Sequence, residues 1–379
     1  MQDKNVFITG TSTFLPNTPV PNGDMEKYLG LVSGKSSRVR NIVLRQNGIR
    51  QRYYALDTQQ RITHTNAEMA AAAITRLLDK KPVVQPDTLL CATSNPDQLI
   101  PSHSSMVHGV LKNMPMEIYC FAGVCLTSLQ ALKTGFMAVR SGESTTAVCC
   151  ASELASAGLL SKHFEIEYEH TTTVGTDPYM AFEKDFLRFM LSDGAGAVLL
   201  QNQRHPGQPA LRLDWVDMDS YANELPTCMF YGAELREDGN LKGWKEFSTD
   251  ELMQRAVLTL KQDIRLLKVY IIEYWIKHIQ KCLSKHDVRT DSVTYVIPHV
   301  SSMFFYHQLD EGLRQAGIGL TKEKWFTNLT EVGNIGSAAI FVALDALFHS
   351  GKLRKGDTIL LLVPESGRFS YGTAHLTVV

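Results

Sequence analysis

The chain has 379 residues, 44% of them hydrophobic and 20% charged, with a net charge of −1. That composition suits a soluble globular protein of two domains or one large duplicated one, and it offers nothing to draw nucleic acid or an anionic membrane. The longest apolar runs, such as TILLLVP at 358–364, are too short to cross a bilayer.

The N-terminus, MQDKNVFITGTS, has no basic start or long apolar run and reads as a strand entering a turn. The seven cysteines (Cys91, Cys120, Cys125, Cys149, Cys150, Cys228 and Cys282) form no disulfide framework and contain no CxxC. A reducing, cytoplasmic setting fits them. The 12 histidines are scattered without HExxH or paired Cys/His spacing, so no metal and no bound cofactor are expected.

Short β-rich runs alternate with helical ones. A strand is expected in 5–16, a helix capped by Thr65 or Asn66 over 63–80, and a strand over 87–95. Then come a helix over 104–114, a strand over 116–124 and a helix over 125–144. In that helix Leu126, Leu129, Leu132, Phe136 and Val139 recur at helical spacing and Gly142 ends the run. Strands follow at 145–153, 194–202 and 211–220, a long helix over about 249–286, and a strand at 293–299. A helix at 337–351 and a strand pair over 358–379 close the chain. This rhythm predicts α/β layers around largely buried sheets. The polar, aromatic stretch 155–187 reads either as a lid or as a surface insertion.

Chemistry concentrates where strands end. Cys125 leads a helix, where unpaired N–H groups favour a thiolate, whereas Cys120 lies mid-strand and should be inert. Pro298-His299 closes VTYVIPH, Asn334 stands between Gly333 and Gly336 ahead of a helix, and PESGRFSYG (364–372) makes a Gly-containing turn. Taken singly, each also reads as ordinary structure: a core thiol, a strand-end histidine, a helix-leading turn, a hairpin.

Together these segments resemble the ketoacyl-acyl-carrier-protein synthase III family. The order is Cys, then His in IPH, then Asn in a GN(x)₂S(x)A helix lead. GIRQRYYA (48–55), CATSNPDQLIPS (91–102), LSDGAGAVLL (191–200) and GKLRKGDTILLLVPESGRFSYG (351–372) fit in matching order. The resemblance implies a thiolase-like duplicated αβαβα fold and a homodimer. Its halves would be 1–205, holding the 155–187 insertion, and 206–379. It also implies a Cys125, His299, Asn334 triad acting on thioesters of an acyl carrier protein or coenzyme A. Cys125 would carry the acyl group, and His299 and Asn334 would donate to the second thioester's carbonyl. The N–H of Cys125 and one from the 366–368 turn would hold the acyl oxyanion. Ile100 matches the position through which one subunit lines its partner's pocket.

The departures narrow the expectation. Ile42 and Gln46 stand where family members hold a nucleotide handle with a tryptophan and an arginine, and His299 is followed by Val-Ser-Ser-Met-Phe instead of QAN-R. A carrier-protein-bound donor, or a differently bound one, follows from that. In the closing turn two glycines are replaced by Ser366 and Arg368, leaving Gly367. Arg368 either grips a second carbonyl or faces solvent. Glu153 either acts as a base or is structural. These variants resemble the ketosynthases that join a β-ketoacyl thioester to an α,β-unsaturated acyl thioester. In those enzymes Michael and Claisen steps close a dialkylcyclohexanedione. A conventional malonyl-using synthase, an ester- or amide-forming acyltransferase and a non-catalytic partner subunit are the other readings.

Overall fold

A computed structural model describes residues 4–81, 83–165 and 185–379. Nine strands form one mixed sheet: β1 (Phe7–Phe14), β2 (Thr88–Thr93), β3 (Glu117–Ala122), β4 (Thr146–Glu153), β5 (Gly194–Gln201), β6 (Leu211–Ser220), β7 (Tyr295–Pro298), β8 (Thr358–Glu365) and β9 (Ser370–Val378). Their spatial order is β7-β8-β9-β6-β1-β5-β4-β2-β3. The order is the same read outward from the central β1–β6 pair. In one half β2 pairs in parallel with β3 and β4, and β4, β5 and β1 run antiparallel in turn. In the other half β7 pairs in parallel with β8 and, through a bridge from Val296 to Trp325, with a stub in the place of β3. Beyond them β8, β9 and β6 alternate. The antiparallel β1–β6 contact joins the copies. The duplication invisible in the residues is therefore plain in the pairing.

Helices α1 (Asn66–Asp79), α2 (His103–Leu111), α3 (Thr127–Ser141), α4 (Ile264–Lys285), α5 (Met303–Gln315) and α6 (Ala339–Phe348) complete the layers. Period-two burial explains the arrangement. Leu89, Cys91, Val148 and Cys150 pack against α1, while Leu90, Ala92, Ala147 and Cys149 face the opposite core with α3 and α6. Likewise Leu360 and Leu362 turn to the core of α4 and α5, and Ile359, Leu361 and Val363 to that of α3 and α6. α3 and α6 thus form the middle layer and the remaining pairs the outer ones.

The Thr65 cap is a full capping box with Glu68. The single helix expected over 249–286 is broken: Thr249–Gln254 is helical, Lys261–Gln262 pairs with Met229–Phe230, and α4 starts afresh. Asp263 accepts from the N–H of Leu266 at 2.9 Å and supplies that new start. Most of the 155–187 stretch, residues 166–184, lies outside the described residues. No described helix is long and apolar enough to cross a membrane, and no described group of three or more His, Cys, Asp or Glu is placed to hold a metal ion.

Candidate active site

The residues singled out by their motifs stand where parallel strands end. Cys125 follows β3 and leads α3, Glu153 is the last residue of β4, His299 follows β7 and Glu365 is the last residue of β8. The carboxyl ends of parallel strands are where open α/β sheets place their ligands.

Cys125 is 8% exposed. Its turn is fixed by Thr127, whose N–H and hydroxyl both donate to the carbonyl of Val124, at 3.1 and 2.7 Å. Ser128 Oγ donates to the Cys125 carbonyl at 3.2 Å. Burial pushes the thiol far up, and the negative charges of Glu365 and then Glu153 push it further. A backbone hydrogen bond at Cys125 works the other way and is outweighed. At rest the Cys125 side chain is a thiol.

His299 is buried, and burial alone lowers its pKa to about 4. The ring is a neutral imidazole at ordinary pH, a form able to donate one N–H. Its backbone is locked to β8, the His299 N–H donating to Leu362 O at 2.8 Å. Asn334 is held from the other half: its N–H donates to Met190 O, and Ser192 N–H donates to its carbonyl. Asn334 Oδ1 accepts from Gly336 N–H at 3.0 Å, which turns the amide NH₂ to donate elsewhere. Gly336, at φ +49, lies against Glu153; a Cβ there would stand 3.0 Å from its Oε1.

Glu153 is fully buried and ties the halves together. Its Oε1 accepts from Ser337 Oγ (2.6 Å), Ser337 N–H (3.0 Å) and Ser94 N–H (3.1 Å), and its Oε2 from Ser94 Oγ (2.6 Å). Burial nonetheless raises its pKa over these bonds. The carboxylate pins the end of β4 to the lead-in of α6.

Residues 283–377 match the family described as 3-Oxoacyl-[acyl-carrier-protein (ACP)] synthase III C terminal. Over 371 residues the chain is 24% identical to a β-ketoacyl-[acyl-carrier-protein] synthase III of Clostridium perfringens, covering 98% of each chain. Among solved structures it resembles AbyA1, a tetronic acid condensing enzyme, with 20% identity and a TM-score of 0.76 over 98% of this chain and 99% of that one. It also resembles a cysteine-to-serine variant of Xanthomonas campestris OleA with bound lauric acid and lauroyl-CoA, at 19% identity, a TM-score of 0.74 and 99% of both chains. The chain is similar along its whole length to synthase III condensing enzymes and shares their fold.

The closing turn differs from what the sequence led one to expect. The N–H groups of Gly367 and Arg368, expected to face an acyl oxyanion, both donate to the Glu365 carboxylate, from Arg368 at 3.3 Å. A side chain inside the turn satisfies them. Arg368 is exposed and its Nε donates to Leu225 O at 3.3 Å, so it braces the 221–228 loop and does not enter the acyl pocket. Phe369 closes the turn fully buried in a left-handed conformation, φ +57, a strain that packing on Tyr270 sustains. Gly367 sits against Val124, the residue before Cys125; a Cβ there would come within 3.3 Å of it.

Glu365 is the residue whose role sequence reasoning missed. Its signal was a lone charge ending the buried run TILLLVPE. Ile100, which precedes a cis Pro101, is 85% exposed, so it lines no pocket formed by the described residues of one chain. It stands with Leu99, 73% exposed, beyond β2. The edge strand β3 is largely open to solvent, and Cys120, expected to be inert mid-strand, is an exposed thiol there.

Proposed function

We propose that the protein is a carbon–carbon bond-forming ketosynthase that accepts a β-ketoacyl carrier-protein thioester as its nucleophile. Cys125 takes an α,β-unsaturated acyl group. His299 and Asn334 donate to the donor's thioester carbonyl, and successive Michael and Claisen steps close a 2,5-disubstituted cyclohexane-1,3-dione. One observation carries this reading: two carboxylates, the buried Glu153 and the partly buried Glu365, stand at strand ends near Cys125 and bear on its thiol. A malonyl donor would bring a third negative charge into that site and needs no base, since losing carbon dioxide supplies its carbanion. A β-ketoacyl donor is uncharged at the reacting end and must give up a proton.

The partners follow from the same chemistry. Residues 27–51 contain Lys27, Lys35, Arg38, Arg40, Arg45 and Arg50 and no acidic residue. Their helix, Arg40–Asn47, packs on α5, which begins just after His299. An acidic carrier protein would find that face complementary. The open β3 edge with Leu99 and Ile100 supports a homodimer, since an unpaired edge invites another strand.

The test is intact-protein mass spectrometry of wild type and Cys125→Ala with an enoyl thioester, then a β-ketoacyl carrier protein, with the released product identified. Acyl mass gained only with Cys125 present and release of a cyclic dione support the reading. Turnover with malonyl carrier protein alone makes the protein a conventional synthase III, the activity named for its curated relatives. An ester or amide product identifies a non-condensing acyltransferase.

A further inference from the structure

The proposed donor needs a base, and the residues already described do not supply a good one. Glu153 accepts from the N–H and the hydroxyl of both Ser94 and Ser337, bonds that fill its lone pairs. His299 is held neutral with its pKa lowered to about 4, too weak a base for a carbon acid. Glu365 is placed differently. It ends β8, and the neighbouring parallel strand β7 delivers His299, whose N–H bonds Leu362 three residues earlier on β8. On its other side Gly367 packs on Val124, the residue before Cys125. The carboxylate therefore lies between the side that binds the donor carbonyl and the nucleophile that carries the acyl group. Backbone N–H groups of its own turn, those of Gly367, Arg368 and Ser370, fix it without occupying all its lone pairs.

We infer that Glu365 is the general base that takes the C2 proton of the β-ketoacyl donor; this rests on the reading that the donor is a β-ketoacyl thioester. The electron pair of the broken C–H bond spreads onto the two flanking carbonyls, one of them bonded by His299 and Asn334. The carbon then adds to the β-carbon of the enoyl group on Cys125, the C=C electron pair moves to the α-carbon, and Glu365 returns the proton there. When C4 of the donor in turn gives a proton to Glu365 and attacks the thioester carbonyl, the C–S bond breaks with its electrons on sulfur and Glu365 returns that proton to the thiolate. No oxidant is consumed and no carbon dioxide leaves in either step. The closeness of Glu365 to the thiol, unhelpful for making a resting thiolate, suits a group that hands protons to and from sulfur. The titratable groups facing it are Cys125 and Tyr371.

The test compares wild type, Glu365→Gln and Glu365→Asp in two stages. Acylation of Cys125 by an enoyl thioester is read by intact mass, and condensation of the acylated protein with a β-ketoacyl carrier protein by product release across pH. Glu365→Gln keeps an oxygen for the turn N–H groups, so it should still gain the acyl mass while condensation falls on the order of 10²–10⁴-fold. The acid limb of the wild-type condensation profile should vanish in it and be restored in part by Glu365→Asp, which a merely structural role would not do. Condensation by Glu365→Gln at the wild-type rate overturns the inference, as does an unchanged acid limb. Should Glu365→Gln fail to acylate, Glu365→Asp decides: its acid limb must shift from the wild-type one or the inference is wrong. Wild type that acylates yet ignores β-ketoacyl donors overturns the proposed function instead, whatever the variants do.

Discussion

Glu153 and Glu365 end equivalent strands of the duplicated sheet, β4 in one half and β8 in the other, and both act on the Cys125 thiol. Their surroundings set them apart. Glu153 is gripped by serines from two different segments, Glu365 only by its own turn. One position, copied by duplication, has become a clamp on one side and a more loosely held carboxylate on the other.

The clamp predicts a stability effect. Glu153→Ala strips acceptors from the buried N–H and hydroxyl of Ser337 and from those of Ser94, and each unsatisfied buried donor is costly. A loss of about 2–4 kcal/mol is expected from such unsatisfied donors. It should be read as a lower urea midpoint at unchanged slope. A midpoint equal to wild type would mean the clamp does not hold the two halves.

Gly336 is the second structural prediction. Its φ of +49 is a left-handed conformation, and a Cβ would crowd Glu153 at 3.0 Å. Gly336→Ala should cost about 1–2 kcal/mol from the conformation alone. Because Gly336 N–H anchors Asn334 Oδ1, the amide should also lose its aim. Condensation should fall more than acylation in a two-stage assay, and equal losses in both stages would refute the positioning role.

His299 predicts a flat pH response of its own. Burial lowers its pKa to about 4, so the imidazole stays neutral as pH moves from 5 to 8 and takes up a proton only near and below about 4. NMR titration of the ring carbons should find no change of His299 across that range, whereas a midpoint near 6.5 would mean a more solvated ring. His299→Ala should leave Cys125 able to accept an acyl group while condensation collapses.

Much of this was legible in the chain. The alternation of strands and helices, the Thr65 cap, the Gly142 stop and the strand-end positions of Cys125 and His299 all rest on local patterns. What was not legible depends on partners distant in sequence or on side-chain direction. The turn at 365–370 read as open backbone, yet a single rotamer of Glu365 closes it. The thiol of Cys125 read as helix-stabilised, yet burial and two carboxylates decide its state. The break in 249–286 comes from pairing with Met229–Phe230, some thirty residues upstream. The duplication lies in strand order, which no single sequence run encodes.

Acid stability should centre on β6. Asp214 lies beside His375 Nδ1 at 2.8 Å, Asp217 beside Lys285 Nζ at 2.9 Å and His286 Nε2 at 2.6 Å, and Asp219 beside His278 Nδ1 at 2.7 Å and Lys281. Burial works against these carboxylates, but hydrogen bonds and charge from the paired side chains outweigh it and lower all three pKa values below 3.8. A lowered folded pKa gives stability that is present above the unfolded value and is lost as pH falls through it. Urea midpoints should therefore hold between pH 5 and 7 and drop as pH goes below about 4. Asp217→Asn should lower the neutral-pH midpoint and flatten that acid drop; a drop as steep as wild type would place the acid-sensitive groups elsewhere.

The edge of the sheet carries the last prediction. Among the described residues β3 pairs with no strand but β2, and its residues are exposed or half-exposed along most of its length, Tyr119 at 37%. Leu99 and Ile100 add apolar side chains at 73% and 85% exposure. An open, partly apolar edge is a liability unless another chain covers it. Sedimentation equilibrium should therefore give a dimer for wild type, and Ile100→Lys together with Tyr119→Lys should shift it to monomer. The same pair should leave secondary structure by circular dichroism intact, since neither side chain is buried within its own chain. If Ile100 reaches a partner's pocket, the dissociated variant should also accept shorter acyl thioesters less selectively. A wild type that sediments as a monomer at tens of micromolar would remove both the edge pairing and that role for Ile100.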